Sequence, residues 1–195
     1  MNFSSQLIAW YKINSRDLPW RNTNDPYRIW LSEIILQQTK VQQGLPYFNN
    51  FTREFPTIFD LAKSSEDKVL KLWQGLGYYS RARNLHYTAK YICSKYDGDF
   101  PKNYNDILSL KGVGDYTASA ISSFAYNKRY AVLDGNVIRV LSRVFGIDSY
   151  FDTTSGKKQF KKLADFNLPI KDSYTYNQAI MEFGALVCSP KAPKC

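Results

Sequence analysis

Two carboxylates sit where their neighbours would set their protonation state. Glu33 lies in Trp30-Leu31-Ser32-Glu33-Ile34-Ile35-Leu36-Gln37-Gln38-Thr39, among large apolar side chains. On a solvent-facing surface it would be unremarkable. Against a core, loss of water would raise its pKa towards that of a general acid. Asp134 lies in Leu133-Asp134-Gly135-Asn136-Val137-Ile138-Arg139-Val140-Leu141, just before a helical pattern. Read alone it is an N-cap for that helix, yet a cap can leave one carboxylate oxygen facing a cleft.

Other stretches suit a polyanion. In Leu110-Lys111-Gly112-Val113-Gly114-Asp115-Tyr116-Thr117-Ala118, two glycines flank one apolar residue between helical segments. Such a turn can aim successive N–H groups at a phosphate, assisted by the next helix's N-terminus, and would grip a DNA backbone without reading sequence. The same pattern also describes a tight helix–helix turn that binds nothing. Gly75-Leu76-Gly77-Tyr78-Tyr79-Ser80-Arg81-Ala82-Arg83 places aromatics beside arginines on a glycine-hinged loop. That suits base stacking with phosphate contacts, and equally a core tyrosine pair beside solvated arginines. Cys188 and Cys195 have six residues between them, which matches no common zinc spacing but could be half of a four-cysteine iron–sulfur site. Cys93 reads as core filler, and with His86 the only histidine, Ser–His–Asp and histidine-rich metal chemistry are excluded.

The elements that must carry these residues read as helices. Helical spacing is visible over Phe3–Tyr11, Ile29–Gln37, Val69–Trp73 and Ser80–Tyr96, then over Asn103–Leu110, Asp115–Tyr126, Asn136–Phe145, Ser155–Phe166 and Ser173–Val187. Ser64-Ser65-Glu66-Asp67 reads as a capped helix start, and Gly75 and Gly77 as its stop. No long apolar–polar alternation occurs, so the expected class is all-α. A chain of 195 residues, 44% hydrophobic and 16% aromatic, can bury a core and is not disordered. The 26 basic against 17 acidic residues leave a net charge of +9, which favours nucleic acid over a membrane surface as partner. No spanning segment and no secretory leader is read, so the expected setting is cytoplasmic, on DNA, as a monomer.

Together these motifs resemble the helix-hairpin-helix DNA glycosylases, and among them the MutY-type adenine glycosylases. WLSEIILQQT, GLGYYSRARNL, LKGVGDYTA and LDGNVIRVL occur in family order, and the likeness runs from Leu18-Pro19-Trp20-Arg21 to Cys195. The resemblance implies two helical halves flanking a cleft: a six-helix module over residues 21–128, and a second half from 1–20 plus 129–195. It implies Glu33 as the acid that protonates adenine and Asp134 as the carboxylate that stabilises the sugar cation, kept ionised by helix N–H groups. Asn136 and Tyr116 would orient that carboxylate or the attacking water. Gln38 would fill the gap left by a flipped base, and Tyr78 would wedge beside the opposite base. Trp20, Arg21, Leu36 and Gln178 would line the adenine pocket, while Gly112, Val113 and Gly114 would hold the DNA backbone.

Endonuclease III-like relatives carry a Schiff-base lysine two residues after the hairpin; Tyr116 stands there instead, and a phenol cannot form an imine. The implied activity is therefore a monofunctional glycosylase acting on double-stranded DNA with adenine opposite 8-oxoguanine or guanine. The family also implies a 4Fe–4S cluster, with Cys188 and Cys195 as two of four ligands, and a C-terminal Nudix-like domain. The other two ligands and that domain are absent from this sequence. The expectation is an early-ending chain with no assembled cluster and none needed for the bond cleavage. The rival readings are a glycosylase for thymine or a damaged pyrimidine, and a catalytically idle helix-hairpin-helix module. Phosphate binding alone requires neither Glu33 nor Asp134.

Overall fold

The computed structural model describes residues 2–194, and every regular element among them is helical. The chain forms two compact units, one of Leu18–Ile121 and one of Met1–Asp17 with Ser122–Cys195.

The first unit is built around α2 (Pro26–Leu36). Asp25 caps it by accepting from the Tyr27 N–H, and Pro26 at the first position supplies the right φ without wasting a donor. Every residue from Ile29 to Ile35 is buried, so α2 is apolar almost all round and lies inside the unit. It packs on α3 (Val41–Glu54) and α6 (Ser80–Tyr96). Between those helices run α4 (Ile58–Lys63), opened by a Thr57–Asp60 capping box, and α5 (Glu66–Trp73), capped by Ser65. Phe51 and Trp73 meet edge to face in the core, with ring centroids 5.8 Å apart. The short α7 (Tyr104–Leu108) leads into the Gly112–Gly114 turn and α8 (Asp115–Phe124), within which the division between units falls.

Two of these helices, α3 and α4, have no counterpart in the sequence-derived pattern. Gly44 and Pro46 lie inside α3 and interrupt the apolar period there, yet Pro46 is exposed and its missing N–H costs one bond in a helix of 14 residues.

The second unit centres on α11 (Ser173–Leu186), packed against α1 (Phe3–Asn14) and α9 (Gly135–Phe145), with α10 (Thr154–Asn167) against α9. Glu182, fully buried on α11, accepts from the Arg16 backbone N–H and from the Arg16 guanidinium, tying the end of α1 to α11. Buried Asn177 donates to Tyr130 O at 2.8 Å and Ser123 Oγ at 2.9 Å, which holds the segment entering Asp134. Among the described residues no helix is long and apolar enough to cross a membrane.

Candidate active-site residues in each unit

In the second unit, α9 begins at a worked-out cap. Asp134 Oδ1 accepts from the Val137 N–H at 2.7 Å, and Oδ2 accepts from the Asn136 side-chain amide at 2.8 Å. Asn136 is itself pinned, because its Oδ1 accepts from Arg139 Nη2 at 2.8 Å. Arg139 also donates to Gly184 O and Cys188 O, both at 2.7 Å. The residues from Asp134 to Cys188 thus form one continuous network, and the carboxylate cannot swing without disturbing α11. Gln178 is buried on α11.

The N–H groups at this cap do not decide the charge of Asp134. Burial pushes its carboxyl above the ordinary carboxylate range, despite the opposing bonds from Val137 and Asn136 and the nearby Arg139. The N–H groups expected to keep it ionised act against that burial.

Cys188 is buried, with Arg143 Nη1 3.3 Å from its sulfur, while Cys195 lies outside the described residues. A four-iron cube takes four cysteine thiolates. Among the described residues the cysteines are Cys93 and Cys188, and no three His, Cys, Asp or Glu side chains converge. The described residues do not by themselves make a complete cluster site. Arg139 and Arg143, one turn apart on α9, went unnoticed in the sequence; their i, i+4 spacing was the available signal.

In the first unit, Glu33 is 7% exposed on α2, within the run of Trp30, Leu31, Ile34 and Ile35. Trp20 lies in a 3₁₀ turn (Pro19–Arg21) and meets Phe48 edge to face at 5.2 Å, with Arg21 half-buried beside it. Leu36 closes α2 over Gly44, where a Cβ would stand 2.8 Å from Leu36 Cδ2. The next residues turn sharply: Gln38 is exposed at a φ of +54°.

The Gly75–Tyr79 loop reverses the roles its composition suggested. Tyr78 is 65% exposed at a φ of +46°, whereas Arg81 is buried. A core tyrosine pair beside solvated arginines is thus wrong for Tyr78 and Arg81, because the guanidinium finds main-chain acceptors inside the unit. Sequence patterns do not display such acceptors.

The Gly112–Gly114 turn is secured from α6. Thr88 Oγ1 donates to Lys111 O at 2.9 Å, and Gly112, at a φ of +83°, passes 3.1 Å from Asn84 Cβ when a Cβ is built on it. Gly114 is exposed with open space around it. Tyr116, second residue of α8, is half-buried.

Comparison with known proteins gives a consistent picture. The family described as HhH-GPD superfamily base excision DNA repair protein matches residues 31–165. An adenine DNA glycosylase of Buchnera aphidicola is 42% identical over 194 residues, covering 99% of this chain and 56% of that protein. The human adenine DNA glycosylase is 39% identical, covering 99% of this chain and 37% of its own length. The chain therefore spans about half, or less, of the length of these two relatives. Among solved structures, a thermostable thymine-DNA glycosylase superposes with a TM-score of 0.90 at 32% identity, covering 99% of this chain and 89% of that one. A trapped endonuclease III–DNA covalent intermediate gives 0.83 at 18% identity, covering 98% and 87%, a likeness of fold.

Proposed function

The chain belongs to the HhH-GPD superfamily of base excision DNA repair proteins, and from that membership we propose that it is a monofunctional DNA glycosylase that releases adenine from a mispair with 8-oxoguanine or guanine. The observation that carries this reading is the Asp134 cap: a carboxylate with both oxygens held, Oδ1 by Val137 and Oδ2 by Asn136. A plain N-cap needs only the bond from Val137; the second oxygen, held by Asn136, fixes the carboxylate beyond what capping requires. Adenine is taken out of the duplex at a cost of a few kcal/mol, less in a mispair. Glu33, buried among apolar side chains, donates a proton to the departing base. Asp134 faces the positive charge that grows on the deoxyribose as the glycosidic bond breaks, and water completes the exchange. Asn136 orients Asp134. Tyr116 offers no amine, so the strand is left uncut.

The contacts assigned to DNA follow the same logic. Gly112, Val113 and Gly114 grip the phosphodiester backbone, while Gln38 and Tyr78 stand exposed to enter the duplex. Trp20, Arg21 and Leu36 of the first unit, and Gln178 of the second, are each assigned to contact the flipped base. A second reading, removal of mispaired thymine, is favoured by the 32% identity to a thymine-DNA glycosylase structure.

Single-turnover incubation with duplexes carrying A opposite 8-oxoguanine, A opposite G, and T opposite G separates the two. Alkali-dependent cleavage at adenine, with no cut before alkali, is expected. Cleavage confined to T opposite G would replace the adenine reading with the thymine one.

A further inference from the structure

The buried guanidinium of Arg81 has no use in the chemistry above, and its partners are unusual for a buried cation. Nη1 donates to the carbonyls of Ile34 at 3.1 Å and Ile35 at 3.0 Å, and to that of Gln37. Nη2 donates to the carbonyls of Leu76 at 3.3 Å and Gly77 at 3.4 Å, and Thr39 Oγ1 lies 3.4 Å from both nitrogens. None of these partners is a carboxylate. The positive charge sits instead at the C-terminal end of α2, where the last carbonyls carry the negative end of the helix dipole. The Trp73 and Tyr78 rings lie 5.1 and 5.6 Å from the guanidinium carbon. A single planar fork therefore holds both the turn that follows α2 and the loop that precedes α6.

Each of those segments carries one exposed residue in the left-handed region, Gln38 at +54° and Tyr78 at +46°. Glutamine and tyrosine rarely adopt this conformation, and it persists only where the surroundings over-determine it. We infer that Arg81 is a positioning residue that joins the two turns into one preformed edge, fixing Gln38 and Tyr78 in the geometry with which they enter DNA. The inference rests on the proposed DNA-processing role of those two tips. A preformed edge spends no binding energy on ordering two loops, so that energy remains for opening the duplex.

Other supports explain why one loop would not hold without the guanidinium. Trp73 Nε1 donates to Gly77 O at 2.9 Å and Tyr47 OH to Gln74 O at 2.8 Å, so the 74–79 loop has independent anchors. In the turn after α2, the side-chain bonds from another element come from Arg81, to Gln37 O and Thr39 Oγ1, while the α3 N–H groups of Gln43 and Gly44 reach only Lys40 O at its far end. Lysine, with one nitrogen, reaches one turn and not both.

Hydrogen exchange on the free protein, with R81K beside wild type, tests the tether. Wild-type segments 36–40 and 74–79 should exchange slowly for exposed turns, and R81K should speed exchange at 36–40 at least about tenfold. A wild-type 36–40 segment exchanging as fast as unstructured chain would overturn the inference without any variant. So would R81K exchanging like wild type.

The functional half is a double-mutant cycle with Q38A, read by 2-aminopurine fluorescence beside the mispair and by base release. R81K should keep its duplex affinity and melting behaviour but lose about 10²-fold in release, the size of a small misplacement. Adding Q38A should then cost little more. Losses that multiply would overturn the inference, because Arg81 would then not act through Gln38. If wild type released no base from any duplex, the proposed function would fall, while exchange on the free protein would still decide the tether.

Discussion

Burial raises the Asp134 carboxyl above the ordinary carboxylate range, although Val137, Asn136 and Arg139 all favour its charged form. The native state thus holds this proton more tightly than the unfolded chain does. Its contribution opposes folding increasingly as pH rises through the unfolded value towards the raised one. Asp134→Asn removes that burden but sets its NH2 against the Asn136 amide donor, so the two effects oppose each other and stability at neutral pH should change little, while base release is lost. The same shift places the acid limb of the rate profile above the pH at which an exposed aspartate ionises, because release requires the anion. Asn136→Ala removes a bond that favours that anion, so the limb should move to still higher pH. A profile of single-turnover rates for wild type and Asn136→Ala reads both effects; an unmoved limb would separate Asn136 from Asp134.

At the scale of elements, the close approach of α9 and α11 holds the Asp134 cap in place. Gly184 on α11 faces Asn136 so closely that an added Cβ would stand 2.7 Å from Asn136 Cβ and 3.0 Å from its carbonyl oxygen. Backbone cannot give way as a flexible side chain can. Gly184→Ala should cost about 1–3 kcal/mol by overpacking and slow base release beyond its effect on folding, as measured by urea denaturation beside single-turnover rates. Restored release with intact stability would show that the α9–α11 spacing does not reach the active carboxylate.

How much of this was legible beforehand varies with the kind of signal. Caps and apolar period announce themselves in side chains, so α5 with Ser65, the α9 start at Asp134 and the long α6 were readable. The α3 helix was hidden by Gly44 and Pro46, whose usual breaking effect is overridden by the burial of Phe48 and Phe51. The fork at Arg81 was hidden for another reason: carbonyl acceptors belong to every residue, and no sequence pattern shows which of them converge. The proximity of Gly184 to Asn136 is likewise tertiary, and neither residue hints at it.

Across the whole molecule, the net charge of +9 and the exposed Gly112 and Gly114 suit the proposed contact with a phosphate backbone. Its affinity for duplex DNA should fall linearly on a log–log plot against salt, with a slope near −0.9 per phosphate contacted. Gly112→Ala should weaken binding, because alanine strains at a φ of +83° and its Cβ crowds Asn84. Binding that stays constant between low and physiological salt would count against the polyanion assignment as a whole. Glu33 lies in one unit and Asp134 in the other, and the proposed reaction assigns each a separate role.

The measurement that bears most directly on that claim is the free base itself. Wild type, Glu33→Gln and Asp134→Asn, each in excess over a duplex with A opposite 8-oxoguanine, are compared by quantifying released adenine by mass spectrometry. The account predicts one adenine per duplex from wild type, with each variant slower by about 10²–10⁴-fold while still binding the duplex. Release by either variant within tenfold of wild type, or thymine rather than adenine as the base that wild type frees from a mixed set of mispairs, would contradict it.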